Sequence, residues 1–134
     1  MGRASGVLMA VSSLPNSYGI GTFGKEAYDF IDFLVRTKQR YWQVLPLTTT
    51  SYGDSPYQSF SAAAGSPYYI DLKDLEKLGY LKSDDFEDIS FGTSNTCVDY
   101  GALFVNHRRL LNRAFDRFMQ DVPADFEKFC HDHA

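Results

Sequence analysis

Two short apolar runs, GVLMAV at residues 6–11 and YWQVLP at 41–46, flank one amphipathic stretch at 25–38, and this order constrains the fold more than any other feature. The first run leads into Ser12-Ser13-Leu14-Pro15, as expected of a buried strand entering a loop. Between the runs, Ala27, Phe30, Ile31 and Leu34 recur at helical spacing. Pro46 ends the second run, because proline cannot donate to a ladder. Strand, helix and strand within about 40 residues predict a βαβ unit with a parallel pair. A parallel sheet must be covered on both faces, which two strands and one helix cannot achieve. The chain is therefore expected to be the front piece of a larger α/β protein.

Residues 47–69 lose all periodicity, and irregular stretches beyond about 15 residues are uncommon in compact domains and usually functional. A short helix is expected over 71–79, with Asp71 as N-cap and Gly79 as stop. Ser83-Asp84-Asp85 predicts a further turn with its acids where the helix dipole favours them. Asp99 opens a longer helix carrying Leu103, His107, Leu110, Ala114 and Phe118 on one stripe, with Leu111 and Phe115 beside it. Pro123 opens a last helix with Phe126, Phe129 and Cys130 on one side. It runs into His131-Asp132-His133-Ala134 with no Gly, Pro or loop chemistry to end it, which adds to the expectation of a longer parent.

A net charge of −4 argues against a nucleic-acid partner, and His107-Arg108-Arg109 with Arg113 reads as a solvated helix face. No apolar run approaches the roughly 20 residues of a membrane span. The N-terminus reads as a strand rather than a signal peptide, and Gly6 stands where a myristoylation signal needs Ser or Thr. Cys97 and Cys130 make no disulfide framework, so a reduced, cytoplasmic setting is expected.

Three patterns imitate chemistry. Gly19-Ile20-Gly21-Thr22-Phe23-Gly24 is a GxGxxG before a helix, but Ser12 to Tyr18 separate it from the strand and no acid follows the second strand. A tight turn is the expected reading, with no nucleotide cofactor. Cys130-His131-Asp132-His133 holds metal-ligand types, yet adjacent helical residues do not converge on one ion, so no metal is expected and Cys130 should pack as a small apolar group. Asp84, Asp85, Glu87 and Asp88 read as cap and solvation residues rather than a catalytic carboxylate pair. His107, on the apolar stripe, reads as a satisfied core or interface histidine.

The stretch SYGDSPYQSFSAAAG, residues 51–65, differs from these. Tyr52, Tyr57 and Phe60 supply rings, while Asp54, Ser55 and Gln58 supply donors and acceptors. Pro56 fixes φ between Ser55 and Tyr57, so the group is pre-organised. Sugars present apolar C–H faces rimmed by hydroxyls, and binding them needs ring surfaces beside hydrogen-bonding side chains. A long loop after a parallel strand is also where barrel and open-sheet enzymes place ligand sites. An ordered loop whose tyrosines cover a barrel rim fits the composition as well.

Ordered words carry a family resemblance: Arg3 to Leu8 (RASGVL), Ser12 to Pro15 (SSLP), Tyr18 to Gly21 (YGIG), Arg40 to Leu47 (RYWQVLPL) and Tyr52 to Ala62 (YGDSPYQSFSA). Together they resemble the N-terminal part of the 4-α-glucanotransferases, the amylomaltase or disproportionating enzymes of glycoside hydrolase family 77. The match is dense from Arg3 to Leu81 and looser from Val98 onward. Departures include Ala10-Val11 where relatives often carry His and a small residue, Asn16-Ser17 in place of Gly-Pro, and Thr48-Thr49-Thr50 in place of Gly-Pro-Thr.

The resemblance implies the N-terminal part of a (β/α)8 TIM barrel, left incomplete in this chain, since a whole barrel needs about 250 residues. Residues 1–70 would supply its first two strands, first helix and a substrate loop; residues 71–134 would begin an inserted helical subdomain. It implies a retaining transfer of α-1,4-glucan segments between maltodextrins, with glucose or maltodextrin as acceptor. The nucleophile Asp, acid/base Glu and supporting Asp are expected beyond Ala134, so no residue here inherits a catalytic role and the chain alone should be inactive. Ser55 and Tyr57 inherit contacts to glucose units beside the cleavage point, Tyr52 an outer platform, and Asp54 a role in orienting the loop. The alternative is a non-catalytic maltodextrin-binding module.

Overall fold

The computed structural model describes residues 2–51, 53–94 and 96–133. Strand β1 (Gly6–Leu8) and strand β2 (Tyr41–Gln43) form a parallel pair, joined through helix α1 (Lys25–Arg36). Gly6 faces Tyr41, Val7 faces Trp42 and Leu8 faces Gln43. A side chain at Gly6 would stand 2.5 Å from the Tyr41 carbonyl oxygen, so only glycine fits there. The predicted βαβ unit is present, but each strand is shorter than its apolar run. Past Leu8 the Met9 N–H still reaches the Gln43 carbonyl (3.0 Å), whereas the Met9 carbonyl accepts from the Trp42 indole (2.8 Å). With that acceptor taken, the ladder stops, and Val11–Ser13 coils into a 3₁₀ turn.

Neither strand is buried in this chain. Gly6, Leu8, Tyr41 and Gln43 are exposed and only Val7 and Trp42 are half-covered. Helix α1 covers one face, with Phe30 edge-on to Trp42 at 5.0 Å, over a cluster of Val11, Leu14 and Ala27. Ile31, expected on that face, points outward, because the contact stripe narrows to Ala27, Phe30 and Leu34. The helix ends two residues earlier than its pattern. Lys38 adopts φ +58°, and the N–H groups of Lys38 and Gln39 bond the carbonyls of Val35 and Leu34, closing the helix in the Schellman manner.

Helix α2 (Leu72–Lys77) is capped by the Asp71 carboxylate, which accepts from the Asp74 N–H at 3.1 Å, and Gly79 (φ +82°) follows it. Helix α3 (Tyr100–Phe118) starts at Asp99, whose side chain accepts from the Ala102 N–H at 2.9 Å. Leu72, Leu81, Leu110 and Ala114 form the second core cluster, with Tyr18 and Phe86 packed against it. Leu103 and His107 are fully buried on the same stripe, whereas Phe115 is exposed.

Four expectations for the helical part need correction. Asp85 is a buried anchor rather than a solvating acid: it accepts from Arg117 (2.5 and 3.0 Å), Arg113 (3.4 Å) and the Lys82 N–H (2.8 Å). Arg113 accordingly leaves the solvated face, His107 leaves it for the core, and Arg108 and Arg109 stay on it. His107 is buried as expected but unsatisfied, since among the described residues neither ring nitrogen has a hydrogen-bond partner. In helix α4 (Ala124–Asp132) only Phe126 docks, edge-on to Phe118 at 4.9 Å, so Phe129 and Cys130 stand exposed. Among the described residues, no helix is long and apolar enough to cross a membrane.

Candidate functional site

The loop after β2 closes on itself twice. At its base Thr48 pairs antiparallel with Gly65, and the Ser66 N–H bonds the Leu47 carbonyl at 2.8 Å. Nearer the tip, the Ser51 N–H bonds the Gln58 carbonyl at 2.9 Å. Inside that ring the Asp54 N–H reaches the Ser51 carbonyl (3.1 Å) and the Gln58 N–H reaches the Ser55 carbonyl (3.1 Å). The second bond defines a β-turn with Pro56 at its favoured position. Gly53 (φ +87°) and Asp54 (φ +54°) both lie in the left-handed region, which glycine enters freely and aspartate tolerates better than most residues.

These turns fix where the candidate side chains stand. Tyr57, at the crest of the Pro56 turn, leaves 75 % of its surface exposed. Ser55 is half-buried, and its hydroxyl accepts from the Tyr57 N–H at 3.4 Å. Asp54 is exposed, and its charge reaches back toward α3: burial raises the Tyr68 phenol above its usual range, and the Asp54 carboxylate adds to that shift. Burial also raises the Tyr100 phenol, with Tyr69, Asp54 and Tyr68 adding to the shift, and its ring lies 6.3 Å from that of Tyr68. Tyr52 lies outside the described residues. Ser55, Tyr57 and Asp54 thus share one hydrogen-bonded turn system, with Tyr57 as its projecting face.

Phe60 is a second projecting ring, 85 % exposed, that the sequence reading counted among the loop's aromatics without giving it a role. Both rings therefore stand on the open surface of this chain. The groove of about 1240 Å³ among the described residues lies elsewhere, between the β1–α1 loop and residues 89–100, and neither Ser55 nor Tyr57 lines it. No group of three or more His, Cys, Asp or Glu side chains among the described residues could hold a metal ion.

The GxGxxG stretch behaves as a tight turn. Side chains at Gly21 and Gly24 would stand 2.0 Å from the Val11 carbonyl oxygen and from Asp71 Oδ2. A carboxylate therefore sits beside the N-terminus of α1, the position a pyrophosphate takes in a dinucleotide fold.

Comparison with known proteins agrees with the words in the sequence. A family model for 4-alpha-glucanotransferase matches residues 9–134. A 4-alpha-glucanotransferase from Streptococcus pneumoniae is 58 % identical over 133 residues, covering 98 % of this chain and 26 % of the relative. One from Thermus thermophilus is 48 % identical over 128 residues, covering 95 % and 25 %. The solved amylomaltase from Streptococcus agalactiae, in complex with acarbose, superposes with a TM-score of 0.92 at 51 % identity, covering 98 % of this chain and 27 % of its own. The chain spans about a quarter of the length of these relatives. A match that runs through β1, the loop and the helices alike leaves one assignment: the chain belongs to the 4-alpha-glucanotransferase family.

Proposed function

We propose that this chain is the N-terminal part of a 4-α-glucanotransferase and supplies the donor-side wall of its glucan cleft. The single observation that carries the reading is Tyr57, an exposed ring held on a pre-organised turn beside the Ser55 hydroxyl. That arrangement offers a flat apolar face and a hydrogen-bonding rim at one spot, as a pyranose requires. The acarbose bound to the Streptococcus agalactiae relative is itself a carbohydrate mimic, which supports a sugar ligand. Tyr57 would cover one glucose unit, Ser55 would bond a sugar hydroxyl, Tyr52 would extend the platform outward, and Asp54 would hold the turn.

On this reading β1, α1 and β2 begin a (β/α)8 barrel, whose later strands would cover the faces left bare here. Residues 71–134 begin a helical insertion. In the retaining reaction one carboxylate attacks the anomeric carbon as the C–O bond to the leaving sugar breaks and an acid protonates the departing oxygen. The same group, now a base, takes the proton of the acceptor 4-hydroxyl as that oxygen displaces the enzyme carboxylate. Those carboxylates belong to residues beyond Ala134, and this chain's share is binding and orientation. The setting is cytoplasmic, the substrates are maltodextrins with glucose as an acceptor, and no observation favours the binding-module alternative.

Maltotriose disproportionation tests the proposal. The full-length protein should convert maltotriose to glucose and longer maltodextrins, and the 134-residue chain alone should not. A folded full-length protein without transfer activity, or transfer by the chain alone, would contradict it.

A further inference from the structure

We propose that Thr22 is a positioning residue whose buried hydroxyl, bonded to the Asp71 carboxylate, locks the exit of the 51–65 loop onto the β1–α1 loop and so sets where Tyr57 stands. The inference rests on the reading of that loop as a glucan-binding wall. No residue from Gly53 to Gly65 is buried, so the loop has no core anchor of its own and its position is inherited from its two ends. One end is fixed at Leu47, just past β2. The other is the segment from Ser66 to Asp71, and its ties lead to the β1–α1 loop.

Thr22 is the centre of those ties. It exposes none of its surface, yet its hydroxyl makes three hydrogen bonds. It donates to Asp71 Oδ2 at 2.5 Å and accepts from Asn16 Nδ2 at 3.1 Å and from the Gly24 N–H at 3.3 Å. Asp71 is 8 % exposed, and its other oxygen caps α2. One carboxylate thus sits at the N-termini of α1 and α2 at once, where the helix dipoles favour its charge. Alongside, the Phe23 N–H bonds the Tyr69 carbonyl at 3.1 Å, and the two rings meet edge-on at 5.9 Å. Freed from Thr22, Asp71 would lose the donor on the side facing the β1–α1 loop, and displacement there passes through the short Pro67–Tyr69 turn to Ser66 and the base of the loop. Valine has the shape of threonine without the hydroxyl, so T22V isolates the bond.

The test uses the full-length enzyme, with acarbose binding by calorimetry and maltotriose kinetics on T22V, T22S, Y57A and the T22V/Y57A double variant. T22V should weaken acarbose binding and raise KM about tenfold while kcat changes far less, the loss expected for one hydrogen bond to a charged group. T22S should restore both. With Tyr57 already removed, T22V should cost clearly less affinity than in the wild type, because part of its effect runs through that ring and only the share of the remaining loop contacts is left. Should T22V fail to fold, D71N, which removes the charge the Thr22 hydroxyl donates to, takes its place in the cycle. Wild-type binding by a folded T22V, no rescue by T22S, or an equal loss with and without Tyr57 would overturn the proposal. If Y57A alone binds acarbose as the wild type does, the glucan-wall reading itself fails and this inference with it. A weakened Y57A beside an unaffected T22V removes the positioning role only.

Discussion

Acid should weaken this fold through His107. The imidazole sits fully buried on α3, edge-on to the Tyr68 ring at 5.7 Å. Burial pushes its pKa down from 6.5 to about 4. The folded state therefore holds the ring neutral over a range where the unfolded chain binds a proton. The stability this group secures is complete above pH 6.5 and drains away as pH falls toward about 4. A separation of about 2.5 pH units at 1.36 kcal/mol each corresponds to about 3 kcal/mol. Urea unfolding followed by circular dichroism at pH 7.5, 6, 5 and 4, on the wild type and H107L, isolates the contribution. The other acid-sensitive groups titrate in both proteins and cancel in the difference. The stability of H107L relative to wild type should rise by about 3 kcal/mol between pH 7.5 and 4. Parallel pH profiles, or a His107 ring-proton NMR signal titrating near 6.5, would refute the reasoning.

A smaller acid effect belongs to Asp85, whose bond from Arg117, with the Lys82 N–H and Arg113 adding to it, holds its carboxyl at about 2, below the ordinary 3.8. The Asp85 side chain is only 10 % exposed, but the Arg117 and Arg113 side chains over it are 28 % and 35 % exposed, so water screens the pair and D85N should cost about 1–2 kcal/mol at pH 7 in thermal unfolding. That deficit should be complete above pH 3.8 and close as pH falls through about 2, because protonation then removes the same charge from the wild type. A D85N variant as stable as wild type at pH 7, or a deficit unchanged at pH 2, would count against the ion pair.

The order of elements was legible because it depends on local chemistry. Asp71, Gly79, Asp99 and Pro123 each act on their immediate neighbours, and each marks a helix end, whereas Pro46 stands three residues past the observed end of β2. What failed depends on partners far along the chain. The strands end early because the Trp42 indole claims the carbonyl of Met9, 33 residues away. Asp85 was legible as a cap, which its bond from the Lys82 N–H bears out, but not as a buried anchor, because Arg113 and Arg117, 28 and 32 residues on, leave no local trace beside it. The Asp71 cap was readable, but its bond to Thr22 across 49 residues was not. At the candidate site, Pro56 announced a turn and the aromatic spacing announced rings. The outward thrust of Tyr57 and Phe60 appears only once the Ser51–Gln58 closure is seen.

The glucan wall itself is tested most directly at Tyr57. Burying a side chain of that size against a ligand is worth about 1.5–3 kcal/mol, or about a tenfold to hundredfold change in kcat/KM. In the full-length enzyme, Y57A should lower kcat/KM for maltotriose disproportionation by that factor while circular dichroism and melting temperature stay at wild-type values. Unchanged kinetics in a well-folded Y57A would remove Tyr57 from the site and leave the 51–65 loop without a substrate.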